Sequence, residues 1–359
     1  MRTFLWMLIL GLSAFQVHAQ DEKKDALPVT TTTATAKFGA LIQIWNTTNF
    51  GNKDLGTETF NTFRIRRIEL KFSGKIDDRI GFTVMIDPSK PLANSQTKAD
   101  STKANGSQNV DATKGTKSET AILQDLYITY LLNKEMSVEA KVGQFKYPLT
   151  YEGLLSSSGL SFIDRAEVTK AFGDKRDVGI QLSAKPGMFE GSVMIVQGNS
   201  QNKTDVNKNK DIAARLIAKP MEGLSVGGSL YKGFAGNDGK TPQDRYAIEG
   251  AYKAGKITSY GEFIFAKDAK SGAAKSQKGA YIAALYRLTD AFEPGLRYEW
   301  AGKNFESNKG IEQNRITAGL NYYLEKNAKI QLNYVYGKYS AKSKDTASNL
   351  FMINWQVNF

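Results

Sequence analysis

The residues that could do chemistry in this sequence are charged side chains placed at alternate positions between apolar ones. Arg67, Glu69 and Lys71 are separated by Ile68 and Leu70. Because successive side chains of a strand point to opposite faces, this spacing predicts a strand with one apolar face and one charged face. Cations gathered on such a face would attract anions and replace part of their hydration with charge-assisted hydrogen bonds.

The same alternation assigns charged residues of other predicted strands to the polar face. The set is Arg67, Glu69, Lys71, Glu139, Lys141, Arg215, Lys219, Arg297, Glu299 and Arg315. Two interpretations stay open: either the cations give the face a preference for anions, or the acidic members pair with neighbouring Arg and Lys and leave little net preference. Arg64 and Arg66 fall on the apolar face unless a β-bulge shifts the register.

The N-terminus has the pattern of a secretory signal peptide over residues 1–19. Arg2 supplies a basic start, residues 4–15 form an apolar core, and Val17 to Ala19 offer a cleavage site before Gln20. Such a core is too short to span a membrane as a helix. We therefore expect cleavage and export, with a retained N-terminal anchor as the alternative.

Cleavage would remove the only histidine, His18, and the chain has no cysteine. Thiolate nucleophiles, disulfides, metal sites built from His or Cys, and Ser-His arrangements are therefore excluded from the mature chain. Catalysis by carboxylates alone and a calcium site stay open. We predict a protein that is not an enzyme, with no catalytic residues, no metal site and no cofactor.

After a Thr-rich leader at residues 20–36, alternating apolar and polar segments continue to the end of the chain. Long polar connections and compact turns follow one another in regular order, as strands that rise and fall through a membrane require. The segments number about sixteen and predict an all-β fold, a transmembrane antiparallel β-barrel over residues 37–359. A soluble β-sandwich array is the alternative.

The last segment predicts how such a barrel closes. Phe351, Ile353, Trp355, Val357 and Phe359 share one face, with mainly polar residues on the other. A sheet in hydrocarbon cannot leave edge N–H and C=O groups unpaired, so this strand must pair with the first. A barrel of this size is too wide for side chains to fill and should enclose an aqueous passage narrowed by a loop.

A family resemblance rests on five segments in the first half of the chain. They are Phe63 to Lys75, Leu126 to Tyr130, Val142 to Pro148, Phe162 to Arg165 and Arg176 to Ile180. These segments resemble the phosphate-selective porin O and P family of Gram-negative outer-membrane channels. The resemblance implies a sixteen-stranded, homotrimeric, passive channel.

The resemblance also implies that the connection from Phe145 to Arg176 folds inward and narrows the pore. The constriction would then carry the basic residues Lys146, Arg165, Lys170, Lys175 and Arg176. An ordinary surface loop is the alternative, because length and a Ser-Gly tract at 156–159 do not say where a loop points.

We expect the aromatic residues to form girdles at the two membrane interfaces, among them Trp45, Trp300 and Trp355. The competing interpretation is a row of aromatic side chains along the lumen that binds sugars.

The expected function is passive diffusion of small hydrophilic solutes across the outer membrane with a preference for anions. Whether phosphate is preferred stays open. The alternative is a surface-binding or adhesive barrel that does not conduct. The expected partners are small anions, outer-membrane lipid and lipopolysaccharide, and the barrel assembly machinery through the terminal Phe359. No nucleic acid partner is expected.

Overall fold

The computed structural model describes residues 35–51, 58–90, 122–235, 239–268, 275–302, 312–340 and 345–359. The predicted signal peptide and all but the last residues of the predicted leader lie outside these ranges. No helix in the described part of the chain is long and apolar enough to cross a membrane.

The described residues form sixteen antiparallel strands, each hydrogen-bonded to the next, and β1 pairs with β16 to close the barrel. The strands are β1 (Thr35–Asn49), β2 (Phe60–Lys75), β3 (Ile80–Ile86), β4 (Leu123–Asn133), β5 (Val138–Lys146), β6 (Arg176–Ala184), β7 (Phe189–Val196), β8 (Asp211–Met221), β9 (Leu224–Ala235), β10 (Thr241–Ala254), β11 (Ile257–Asp268), β12 (Lys275–Tyr286), β13 (Phe292–Ala301), β14 (Glu312–Glu325), β15 (Ala328–Ser340) and β16 (Asp345–Asn358). The predicted fold class is confirmed.

The pairing of β1 with β16 removes the two edges that an open sheet would expose. It runs from Leu41 opposite Asn358 to Asn49 opposite Leu350. The ladder extends one residue further, since the amide of Phe359 donates to the carbonyl of Ala40 at 3.0 Å. All strand edges are thus paired, which is the condition for a sheet to reside in hydrocarbon.

The two faces of the wall differ as the alternation predicts. In β16, Trp355 and Val357 are 37% and 51% exposed on the outside, whereas Asn354 and Gln356, which alternate with them, are buried inside. The outer face is apolar around the barrel, and Ile248 at 70% is among its most exposed side chains. Interior amides instead bond to one another, as Asn354 does to Gln331 at 2.9 Å.

A β-bulge in β2 changes the faces near one rim. Gln43 pairs with Arg67 and Ile44 with Ile65, which leaves Arg66 as the extra residue. The register shift places Arg64 opposite Trp45, whose side chain is fully buried on the inner face. Trp45 therefore does not belong to an interfacial girdle, and that part of the aromatic prediction is wrong.

The connection between β5 and β6, residues 147–175, lies inside the barrel; we call it the infolded loop. It contains two short helices, α1 (Tyr151–Leu154) and α2 (Glu167–Phe172). Inward side chains from distant strands bond to its backbone: Gln43 of β1 donates to the carbonyl of Ser157 and Lys329 of β15 to that of Leu160. A loop on the outer surface could not make both contacts.

An arginine introduced on the outer face should cost stability according to its depth in the membrane. Ile248 lies midway along β10, and Ile257 begins β11 beside a short turn. We expect Ile248→Arg to lower the free energy of unfolding by about 2 to 4 kcal/mol and Ile257→Arg by about 0 to 1 kcal/mol. Unfolding by denaturant in lipid vesicles measures both values. Equal losses would show that this face does not cross a bilayer.

Candidate functional site

The infolded loop packs closely against one side of the barrel wall, from β10 to β13. Val168, Ala171 and Phe172 of α2 pack into a buried cluster with inward residues of β10 to β13. Four of the wall positions in that cluster are alanines, Ala247, Ala266, Ala283 and Ala301. Small side chains on the wall leave room for α2, so the loop seals this side by close packing.

A cavity of about 410 Å³ lies between another part of the barrel wall and the loop segment 154–158. Its wall comes from β1 to β6 and the last residues of the chain. The charged residues that line it are Glu69, Lys71, Asp125, Lys141, Lys146 and Arg176. We take this cavity as the candidate functional site.

The acidic side chains of the cavity are held by partners. Asp125 Oδ1 accepts from Nε of Arg176 at 2.7 Å. Glu69 Oε1 accepts from the hydroxyl of Ser157 at 2.7 Å and lies 3.7 Å from Nε of Arg67. Their negative charge is therefore compensated locally.

Two lysines of the cavity are placed differently. Among the described residues, neither Lys71 nor Lys141 has a carboxylate within ion-pair distance. The ammonium of Lys141 instead lies 4.8 Å from the ring centroid of Tyr127 and 5.0 Å from that of Phe145. A ring face attracts a cation without cancelling its charge, so both lysines remain available to a solute anion.

Lys146, Arg165 and Asp174 fix the tip of the infolded loop. The Lys146 ammonium donates to the carbonyls of Gly153 and Leu155, and Arg165 donates to those of Glu152 and Leu155. Asp174 bridges the two cations at 2.8 Å and 3.1 Å. Burial alone would raise the pKa of the Asp174 carboxyl, but Lys146 and Arg165 hold it well below its usual range.

A second ionic group fixes α2 to the wall. Lys170 bonds to Asp164 at 3.1 Å and to Glu167 at 2.7 Å, and Glu167 also accepts from Arg315 of β14. Burial opposes the charge of Asp164, yet Lys170 and then Arg66 and Arg67 hold its pKa well below the ordinary value. The loop is thus held at its tip and at α2 by charges of both signs.

Several predicted site residues face inward but do not line the cavity. Arg297 bonds to Glu299 and, at 2.8 Å, to the carbonyl of Asp164, so the infolded loop covers both of these wall residues. Four other predicted residues bond to a neighbouring side chain: Arg215 to Glu249, Lys219 to Glu190, Arg315 to Glu167 and Arg67 to Gln43. Glu139 and Lys175 are half-buried and do not line the cavity.

The structure brings five predicted site residues to the cavity: Glu69, Lys71, Lys141, Lys146 and Arg176. Sequence reasoning missed Asp125 and Tyr127, although both alternate with the exposed Leu126 and Ile128 of β4 and could have been found by the same rule. It also missed Asp174, for which no local signal exists because its partners are Lys146 at the end of β5 and Arg165 in another part of the loop.

The family comparison decides the class of this protein. The family model described as Phosphate-selective porin O and P matches residues 42–232 and 234–359. The chain belongs to this family. It is an outer-membrane porin that allows passive diffusion of small hydrophilic solutes, and the family is one of channels rather than enzymes. The comparison with curated proteins returned no similar sequence.

Solved porins share the fold of this porin at low sequence identity. An anion-selective porin from Comamonas acidovorans is 11% identical with a TM-score of 0.65, covering 91% of this chain and 100% of its own. OmpT of Vibrio cholerae in its trimer form is 12% identical with a TM-score of 0.58, covering 91% and 99%. OmpF of Salmonella typhi in complex with daunomycin is 9% identical with a TM-score of 0.59, covering 90% and 97%.

Replacing Asp174 should loosen the tip of the infolded loop. Asp174→Asn leaves two buried cations without their carboxylate, at a cost of roughly 3 kcal/mol. Hydrogen exchange at the amides of residues 150–175 should rise, whereas Asp205→Asn, which breaks an exposed pair with Lys210 in another loop, should leave it unchanged. Unchanged exchange in Asp174→Asn would show that this carboxylate does not fix the tip.

The same ion group predicts a pH dependence. Because the folded pKa of Asp174 is depressed, its stabilisation is fully present above the ordinary carboxyl pKa of about 4 and is lost as the pH falls through the folded value. After correction for the intrinsic exchange rate, protection of residues 150–175 should not fall between pH 7 and pH 5 and should decline below about pH 4. A loss between pH 7 and pH 5 would contradict this assignment.

Proposed function

We propose that this porin prefers anions among the small solutes that diffuse through it. The observation that carries the proposal is the imbalance of free charge in the cavity: within the residues that the structure describes, Lys71 and Lys141 have no carboxylate at ion-pair distance, whereas Glu69 and Asp125 are both held. Mutual neutralisation, the competing interpretation of the inward charges, accounts for Arg215, Arg297 and Arg315 but not for these two lysines.

The expected size of the preference follows from Coulomb's law. A unit charge at 4 Å from an anion contributes about 1 kcal/mol in bulk water, and more where low-dielectric walls limit the solvent. That energy corresponds to roughly a fivefold enrichment of anions beside the lysines and a similar depletion of cations, so the ratio of the two changes by roughly 30-fold. The anion selectivity named for the similar porin of Comamonas acidovorans agrees with this proposal.

Dedicated phosphate capture has weaker support than general anion preference. Stripping water from phosphate requires several converging donors, and lysine acts on phosphate as a hydrated point charge. Arg176, the one arginine among the charged residues that line the cavity, is already bonded to Asp125. The proposal is therefore a preference for anions without a phosphate site.

The proposal extends to export and assembly. Residues 1–19 would be removed as a signal peptide, and the terminal Phe359 would be recognised by the barrel assembly machinery. A homotrimer is supported by family membership and by the trimer form of the similar Vibrio cholerae OmpT. The basic residues of the long loops would contact the phosphates of lipopolysaccharide.

Bilayer recording tests the charge preference. Replacing both cavity lysines in Lys71→Gln/Lys141→Gln should lower the chloride-to-potassium permeability ratio by roughly 30-fold, because the lost energy of about 1 kcal/mol attracts chloride and repels potassium. The ratio comes from the reversal potential in a potassium chloride gradient. Lys134→Gln, in an exposed turn, is the matched control and should keep the wild-type ratio.

Two results would overturn the proposal. Wild-type selectivity in the double variant would show that other charges set the preference. Absence of single-channel conductance in the wild-type protein would favour the competing function, an adhesive or surface-binding barrel.

A further inference from the structure

The cavity has an apolar wall beside its two free lysines. Eight apolar or aromatic residues line it, beside the polar Ser156, Ser157, Ser158 and Asn358: Ala40, Leu41, Met85, Tyr127, Phe145, Leu154, Leu155 and Phe359. They come from the barrel wall and from the infolded loop, so the apolar surface lies on both sides of the opening. Hydrated inorganic ions gain nothing from such a surface, because it offers no hydrogen bonds to replace lost water.

The position of Lys141 joins the apolar wall to the charged part of the cavity. Its ammonium lies over Tyr127 and Phe145 at about the same distance from each ring. Lys71 lines the same cavity as Lys141, so an anion that enters it meets two ammonium groups that have no carboxylate within ion-pair distance in the described part of the chain. The remainder of an anion bound there would meet aromatic and aliphatic side chains within the same cavity.

We infer that the cavity selects organic monocarboxylates with an aliphatic or aromatic body over inorganic phosphate. The carboxylate accepts hydrogen bonds from Lys71 and Lys141, and the hydrocarbon body packs against Tyr127, Phe145 and Leu155. This assignment rests on the proposed anion preference and names its substrate class. It accounts for the apolar side chains of the cavity, which anion attraction alone leaves unexplained.

Size and fixed geometry support this assignment. The cavity volume of about 410 Å³ accommodates a short fatty acid or a benzoate without displacing the loop. The backbone of Leu155 is fixed by Lys146 and Arg165, so its side chain is presented to the cavity at a defined position. The apolar wall is thus formed before any solute enters, which limits the entropy lost on binding.

A homologous series of carboxylates tests the inference. Sodium acetate, butanoate, hexanoate and benzoate, and separately sodium phosphate, would be titrated as blockers of the chloride current through single channels. We expect the blocking affinity to rise roughly twofold per added methylene, the value for a methylene that loses about half of its contact with water. Phosphate should block more weakly than hexanoate.

Variants of the apolar lining residues separate the contribution of apolar contact to the blocking affinity from that of the lysine charges. Leu155→Asn keeps the side-chain size and the backbone contacts, and it should reduce the rise with chain length. Met85→Gln provides a second, independent replacement on the barrel wall. Leu288→Asn, at an exposed turn outside the cavity, is the matched control and should keep the wild-type dependence.

The outcomes distinguish this inference from the proposed function. Anion-selective reversal with no dependence on chain length, or with phosphate as the stronger blocker, would overturn the substrate class and leave the anion preference standing. A reversal potential without anion selectivity would overturn both. A chain-length dependence that survives in both Leu155→Asn and Met85→Gln would show that the apolar contact lies elsewhere.

Discussion

The packing of the infolded loop against β10 to β13 is the interaction on which the rest of the interior depends. A closed barrel of sixteen strands is wider than its own side chains can fill, so its permeability is decided by what else lies inside. Ala247, Ala266, Ala283 and Ala301 provide the space that α2 occupies. The cavity that carries the free lysines lies elsewhere, between the loop and the wall formed by β1 to β6.

The charges that hold the loop also determine the character of the cavity. Asp174 is compensated by Lys146 and Arg165, and Asp125 by Arg176, so the acidic groups near the opening carry little free charge. Desolvation makes unpaired buried charges costly, which explains why these carboxylates lie where cations meet them. Lys71 and Lys141 remain free because their ammonium groups reach open space or an aromatic face instead.

Alternation predicted the wall well, because lipid outside and water inside impose the same two-residue period on every strand. Glu69, Lys71 and Lys141, which it assigned to the inner face from local sequence alone, line the cavity. Alternation failed where the period breaks. The bulge at Arg66 places Arg64 opposite Trp45, and no pattern in β2 indicates that extra residue. Trp45 itself faces inward by the alternation of β1, where Gln43 is buried and Ile42 and Ile44 are exposed.

The infolded loop was less accessible to sequence reasoning. Family resemblance implied its inward course, but its side-chain partners are set by tertiary contacts between residues far apart in the chain, such as Lys329 with the carbonyl of Leu160. Arg297 and Glu299 illustrate the consequence: alternation places them inward, and only the structure shows that the loop covers them.

Cysteine accessibility tests most directly whether the infolded loop closes the barrel interior beside β10 to β13 and leaves the cavity beside β1 to β6 open. The natural chain has no cysteine, so Lys141→Cys and Ala283→Cys each introduce a single thiol, the first in the cavity and the second beneath α2. A negatively charged methanethiosulfonate reagent should react quickly with the thiol at position 141 and reduce the current, while the thiol at position 283 stays unmodified. Equal reaction rates at the two positions would contradict the account.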